Sequence, residues 1–222
     1  MKEKPIIFTA ESVNAIRDRR KTQTRRVMKI QPEFRDGVYY WPTEADIAAY
    51  GTSAAELNQS IFRYAPYKVG DRLWVREAFY CDDLDYPNGM LEEMLRCLYY
   101  RADGDCCSQI PECQCAYFGG VRWKSPLFMP RWASRLTLEV TAVRVERLQD
   151  ISEEDAKAEG VAFSAVVPTA WDDKCIGRSL HEQQGGSYLA GFYTAWEKLN
   201  GKRSPWQSNS WVWVVEFQRV GL

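Results

Sequence analysis

The chain has 222 residues, 45% of them hydrophobic, with 29 basic and 30 acidic side chains for a formal net charge of −1. That length can bury one substantial core, and the charge balance excludes a uniformly basic nucleic-acid wrapper. No stretch approaches the roughly 18 uninterrupted apolar residues of a membrane helix, and MKEKPIIFTAES has no long apolar segment behind its basic residues, so a cytoplasmic protein without a membrane partner is expected.

Read in order, PIIF is short and β-prone, and Thr9 can cap a helix over Ala10 to Arg19 with Val13 and Ile16 on one face. KTQTRRVMK then alternates as a strand beginning near Lys21 or Thr22 and ended by Pro32. From about 31 to 66 the chain reads as an insertion in which only ADIAAYG and SAAELNQ suggest brief helical turns. YKVGDRLWVREAFY supplies a Gly70-Asp71 turn and a strand with Leu73, Val75 and Glu77 on one face and Trp74, Arg76 and Ala78 on the other. Residues 81 to 130 read as a second insertion, with a helical piece at MLEEMLRCLYY, a cysteine-rich loop and an aromatic segment, VRWKSPLFMPRWASR.

Beyond it the pattern sharpens. In LTLEVTAVRVERL the apolar residues Leu136, Leu138 and Val140 give way to Val143, Val145 and Leu148, a change of phase near Thr141 or Ala142 that predicts a long bent strand with a bulge. Ser152 and Asp155 form a capping box for a short helix ending at Glu159, with Gly160 placed for a left-handed C-terminal residue. After a linker of roughly 162 to 187, Leu189, Phe192, Tyr193, Trp196 and Leu199 recur at helical spacing up to Gly201. WVWVVEFQRV reads as a closing strand covered on both faces in its first half.

Three segments carry a family resemblance. RRKTQTRRV resembles the G-x-K-T-x-T-x-R signature of the ASCH family, YKVGDRLWVRE its G-D-x-L strand, and ERLQDISEEDAKAEGV its strand-to-helix segment ending in an acidic residue. The resemblance implies an α+β fold, a small PUA-like mixed β-barrel with flanking short helices, here a single domain over 1–222 with insertions at about 31–66 and 81–130. One signature position departs, since the usual glycine is Arg19. Within the family the pattern resembles that of small bacterial amidohydrolases acting on N4-acetylcytidine, which carry a catalytic lysine, threonine and glutamate. Matched by position, these are Lys21, Thr24 and Glu159, and no cofactor is implied.

The residue types suit amide hydrolysis. Thr24 is a hydroxyl nucleophile that needs activation, Lys21 can take its proton if like charges and burial ease deprotonation or, kept charged, stabilise an oxyanion, and Glu159 can act as base on water or as acid on the leaving nitrogen. Two residues three apart in one straight strand point to opposite faces, so cooperation of Lys21 with Thr24 requires a turn at Lys21–Thr22. Arg20 and Arg26 are candidate substrate contacts, and Trp74, Arg76 and Glu77 stand between substrate binding and structural roles such as core packing and ion pairing.

Arg17, Arg19, Arg20, Lys21, Arg25, Arg26 and Lys29 face only Asp18 over the same stretch, either a phosphate-binding patch or a solvated helix end and strand edge. Trp123, Trp132 and Trp206, like Trp74, can stack on a base or pack in the core. Seven cysteines point to free thiols, with Cys106, Cys107, Cys113 and Cys115 as an alternative structural zinc set whose spacing lacks paired C-x-x-C knuckles. The expected partner is a nucleoside or RNA. The functions left open are deacylation of a modified cytidine, recognition of RNA or a modified base without chemistry, and RNA cleavage in the same cleft.

Overall fold

The structure, a computed structural model, describes residues 3–42, 47–51, 56, 61, 64–81, 98–104, 123–164 and 187–221. The fold is α+β and rich in sheet. Among the described residues no helix is long and apolar enough to cross a membrane, and the strands form open sheets. Two compact units are present, one of Met1–Asp18, Asp71–Glu139 and Arg219–Leu222, the other of Arg19–Gly70 and Val140–Gln218.

In the first unit, β1 (Glu3–Ile7) runs parallel to β6 (Arg72–Arg76), with Pro5 beside Trp74. Helix α1 (Ala10–Arg17) follows β1 and starts where expected, because the Thr9 hydroxyl accepts from the Ser12 N–H and so satisfies one of the free donors of its first turn. Val13 and Ile16 are buried on its inner face. β6 pairs antiparallel with the first residues of β9 (Thr137–Arg147). A smaller hairpin-like sheet joins β7 (Phe79–Cys81) to β8 (Leu98–Tyr100), over a cluster of Phe79, Met129 and Ala133. Leu98–Tyr100 corrects the helical reading of that stretch: LYY pairs residue for residue with FYC, and tertiary pairing overrides a helical pattern in so short a segment. The rest of that segment, from Met90 to Cys97, lies outside the described residues.

The second unit holds the remainder of β9, all but the last two residues of β10 (Trp211–Val220), and β2 (Gln23–Val27), in the order β9-β10-β2. Along β9, Leu138 and Val140 are buried, Thr141 is exposed, and burial resumes at Val143 and Val145, which is the expected change of phase. β10 is buried at every residue from Trp211 to Val215, as a strand covered on both faces must be. β2 ends at Val27, earlier than Pro32, because the Gln31 amide takes over the edge of the ladder: it donates to the Met28 carbonyl and accepts from the Trp211 N–H.

A three-stranded antiparallel sheet, β3 (Glu33–Arg35), β4 (Val38–Pro42) and β5 (Ile47–Gly51), occupies the first predicted insertion. The helical turn expected at ADIAAYG is instead β5, held by pairing with Tyr39 to Pro42. SAAELNQ lies almost wholly outside the described residues. Trp41 of β4 is buried edge-on against Trp213.

Helix α2 (Glu153–Ala158) and helix α3 (Tyr188–Asn200) pack together. The Ser152 hydroxyl caps α2 by accepting from the Asp155 N–H, and Gly160 ends it at φ +74°, in the left-handed region. The Glu153 carboxylate caps the next helix, accepting from the N–H groups of Tyr188 and Leu189 at the positive end of α3. The core beneath both is Leu148, Ile151, Ala156, Leu189, Phe192, Trp196, Trp206, Val212 and Val214. Leu199 departs from expectation: it has the helical spacing, but sits in the last turn and is 59% exposed. At Gly191 the Ala162 carbonyl comes so close that a Cβ would lie 2.0 Å from it.

Candidate functional site

The site is built where the chain leaves α1 and enters β2. Arg19 has φ 60°, a conformation that costs a side-chain-bearing residue about 1–2 kcal/mol and glycine almost nothing. The reversal breaks the chain direction, so Lys21 precedes the strand and makes an isolated antiparallel bridge with Glu159, while the Thr22 N–H donates to the Ala158 carbonyl at 2.9 Å. The turn thus lies at Asp18–Arg19, ahead of the Lys21–Thr22 position at which one was expected.

From there the Lys21 ammonium donates to both the Glu159 main-chain carbonyl and Glu159 Oε2, each at 2.7 Å. The two side chains, 138 residues apart in sequence, are each 5% exposed. Burial drives the Lys21 pKa below the ordinary lysine range; the Glu159 charge opposes this, and Arg26 and Arg25 add to it.

Alternation along β2 sends Gln23 and Arg25 toward α2. The Gln23 amide donates to the Asp155 carbonyl at 2.9 Å. The Arg25 side chain is completely buried and meets three carboxylates: Nη1 lies 3.3 Å from Glu159 Oε1, and Nη2 lies 2.7 Å from Asp155 Oδ2 and 2.9 Å from Glu146 Oε2. Asp155 and Glu159 are four residues apart, so they stand on one side of α2 and reach the same guanidinium. Arg144 closes the cluster through ion pairs with Glu146, Asp155 and Glu216.

Thr24 and Arg26 begin the other face of β2. Thr24 is 5% exposed, and its hydroxyl makes no hydrogen bond among the described residues. Burial lowers the Arg26 pKa against the opposing charges of Tyr67 and Glu159, and burial raises that of Tyr67. Arg20, more exposed, donates to the Gly160 carbonyl at 3.2 Å.

No family model, curated protein or solved structure matches this chain.

Of the other candidates, Trp74, Arg76 and Glu77 belong to the first unit. There Arg76 stacks 4.5 Å above the buried Trp74 ring. Glu77 is 1% exposed, and both of its oxygens are taken by Arg135, at 2.9 and 3.0 Å. Trp206 packs edge-on against Phe192 and Tyr193 in the second core. Trp123 is half-buried and Trp132 is 38% exposed. The basic run does not form one solvated patch, because Lys21 and Arg25 are buried and Arg17 pairs with Asp103. Cys106, Cys107, Cys113 and Cys115 lie outside the described residues.

Sequence reasoning missed the central place of Arg25, and with it Glu146 and Arg144. The usable signal was the odd spacing of Gln23 and Arg25 on β2 facing the i, i+4 pair Asp155 and Glu159.

Proposed function

We propose that this chain is an ASCH-type protein with a PUA-like architecture, acting as an amidohydrolase on an N4-acylated cytidine or related nucleoside through Lys21, Thr24 and Glu159. The observation that carries the reading is the buried contact of Lys21 with Glu159. Burying two charges together is costly and rarely improves stability over apolar packing, so such a pair is more readily explained by chemistry than by folding. The left-handed Arg19 at the family's glycine position supports the same reading.

The proposed reaction requires Lys21, from its place ahead of β2, to reach the Thr24 hydroxyl on the other face of the strand; neutral Lys21 then accepts the hydroxyl proton, and the Thr24 oxygen attacks the acyl carbonyl carbon. The carbon–nitrogen bond breaks as protonated Glu159 gives its proton to the exocyclic nitrogen. Water, losing a proton to the Glu159 carboxylate, then attacks the acyl-threonine ester; its carbon–oxygen bond breaks, the Thr24 oxygen recovers its proton from the Lys21 ammonium, and the carboxylic acid departs. The depressed Lys21 pKa supports its part as base. The consumption of basic residues in ion pairs favours this reading over RNA recognition by a phosphate patch.

The test is incubation with a panel of acylated nucleosides and with bulk RNA, followed by mass analysis. Release of free nucleoside by the native chain, lost in Lys21→Ala, Thr24→Ala and Glu159→Gln proteins that fold normally, is expected. Binding of RNA without turnover, or shortened RNA, would replace the hydrolase by a reader or a nuclease.

A further inference from the structure

We propose that Arg25 is the positioning residue of this site, a buried clamp that holds Glu159 by Oε1 and ties it to Asp155 and Glu146 so that Oε2 is turned to Lys21. Its kinetic consequences rest on the hydrolase reading; its electrostatic consequences rest on the charges gathered around Glu159.

The clamp follows from where the groups stand. Arg25 is one of the few residues whose side chain is fully buried while carrying a charge, and the ring of Phe192 lies 5.9 Å from the guanidinium carbon. One face of the fork serves Glu159 and the other serves Asp155 and Glu146. A lysine has a point charge on a flexible stem and cannot address three carboxylates from two elements in this way. Asp155 and Glu146 are in turn held by Arg144, so Arg25 is fixed from behind by groups that do not touch Lys21. The result is a carboxylate whose two oxygens have different cationic partners, Arg25 on Oε1 and Lys21 on Oε2. Thr24 lies between them in sequence on the opposite strand face.

Among the charged groups that act on Lys21 are Glu159, Arg26 and Arg25, and the charge of Tyr67 acts on Arg26. Removing the Arg25 charge therefore lets Lys21 keep its proton to higher pH. Removing Asp155 or Glu146 leaves Arg25 less neutralised and makes Lys21 lose its proton at lower pH. A residue that merely stabilises the fold gives no such pair of opposite signs.

The experiment follows the Lys21 side-chain NMR resonance, assigned by its disappearance in Lys21→Met, against pH in the whole chain. Arg25→Gln is expected to raise the midpoint by about 1 pH unit or more, and Asp155→Asn and Glu146→Gln to lower it by less. In the hydrolysis assay, Arg25→Lys is expected to keep the pH profile of the native protein while kcat falls roughly 10- to 100-fold through lost alignment. Folded Arg25→Gln and Asp155→Asn proteins whose Lys21 midpoints stay in place, or move in the same direction, would overturn the clamp. If Arg25→Gln does not fold, the two carboxylate variants decide: a lowered midpoint supports the clamp and an unmoved one sinks it. Absence of any turnover by the native chain would end the hydrolase reading, and the Lys21 titration would still judge Arg25.

Discussion

The ammonium of Lys21 holds Glu159 at two points, the main-chain oxygen and the carboxylate Oε2. One cation thereby fixes both the C-cap residue of α2 and the direction of its side chain. Disturbing either partner is felt in the helix end as well as in the ion pair.

The two partners are unequal in what they leave behind. Glu159→Leu strands Lys21 beside Arg25 and Arg26 and is expected to cost about 3–5 kcal/mol. Lys21→Met leaves Glu159 with Arg25 and should cost less, about 1–3 kcal/mol. The double variant should fall short of the sum by roughly 1–3 kcal/mol. Urea unfolding followed by tryptophan fluorescence measures all three, and strict additivity would show that the contact carries no coupling.

Acid should loosen the second unit through Asp155. Burial alone would raise its pKa, but the hydrogen bond and charge of Arg25, with the charge of Arg144, outweigh it and hold the carboxyl below its ordinary value. A depressed folded-state pKa gives stability that is complete above the unfolded value, about 3.9, and is lost as pH falls through the folded one. Thermal unfolding recorded from pH 6 downward should therefore fall less steeply below about pH 4 in Asp155→Asn than in the native chain. Parallel curves would remove Asp155 from the acid response.

Two positions of positive φ should respond with opposite signs. Gly160→Ala forces a Cβ into the left-handed region at the end of α2 and should cost about 1–2 kcal/mol. Arg19→Gly relieves the same strain and should be neutral or stabilising by up to about 1 kcal/mol. Melting temperatures of the two variants check this directly, and a large loss in Arg19→Gly would mean that the arginine side chain itself holds the turn.

Glu153 ties the two helices of the second unit. Its carboxylate replaces the missing partners of two N–H groups in the first turn of α3, so Glu153→Ala should cost about 1–2 kcal/mol. Its exposed neighbour supplies the control: Glu154→Ala should stay within about 0.5 kcal/mol. Equal losses in denaturant titrations would argue against the cap.

Local chemistry made much of this legible. Thr9 and Ser152 mark helix starts because a hydroxyl there satisfies a free N–H, and β9 shows its change of phase because one face is buried throughout. What failed was non-local. IAAYG has the alanines of a helix, yet it pairs with a strand made by Tyr39 to Pro42, and LYY pairs with FYC across a long stretch of chain. Leu199 obeys the helical period, but period alone does not say where the core stops. At the site, Lys21 and Glu159 stood out through resemblance rather than pattern. Arg25 did not, because its role depends on which face of β2 meets a helix 130 residues away.

A methyl group's absence also matters. Position 191 contributes the least that any residue can to a helix, and in return the segment just past the acidic helix settles directly on α3, backbone to backbone. Even alanine there would act as a wedge, and the thrust would travel three residues back along the chain to the carboxylate at 159. A hydrogen atom at position 191 thus bears on where Glu159 stands, well outside its own reach.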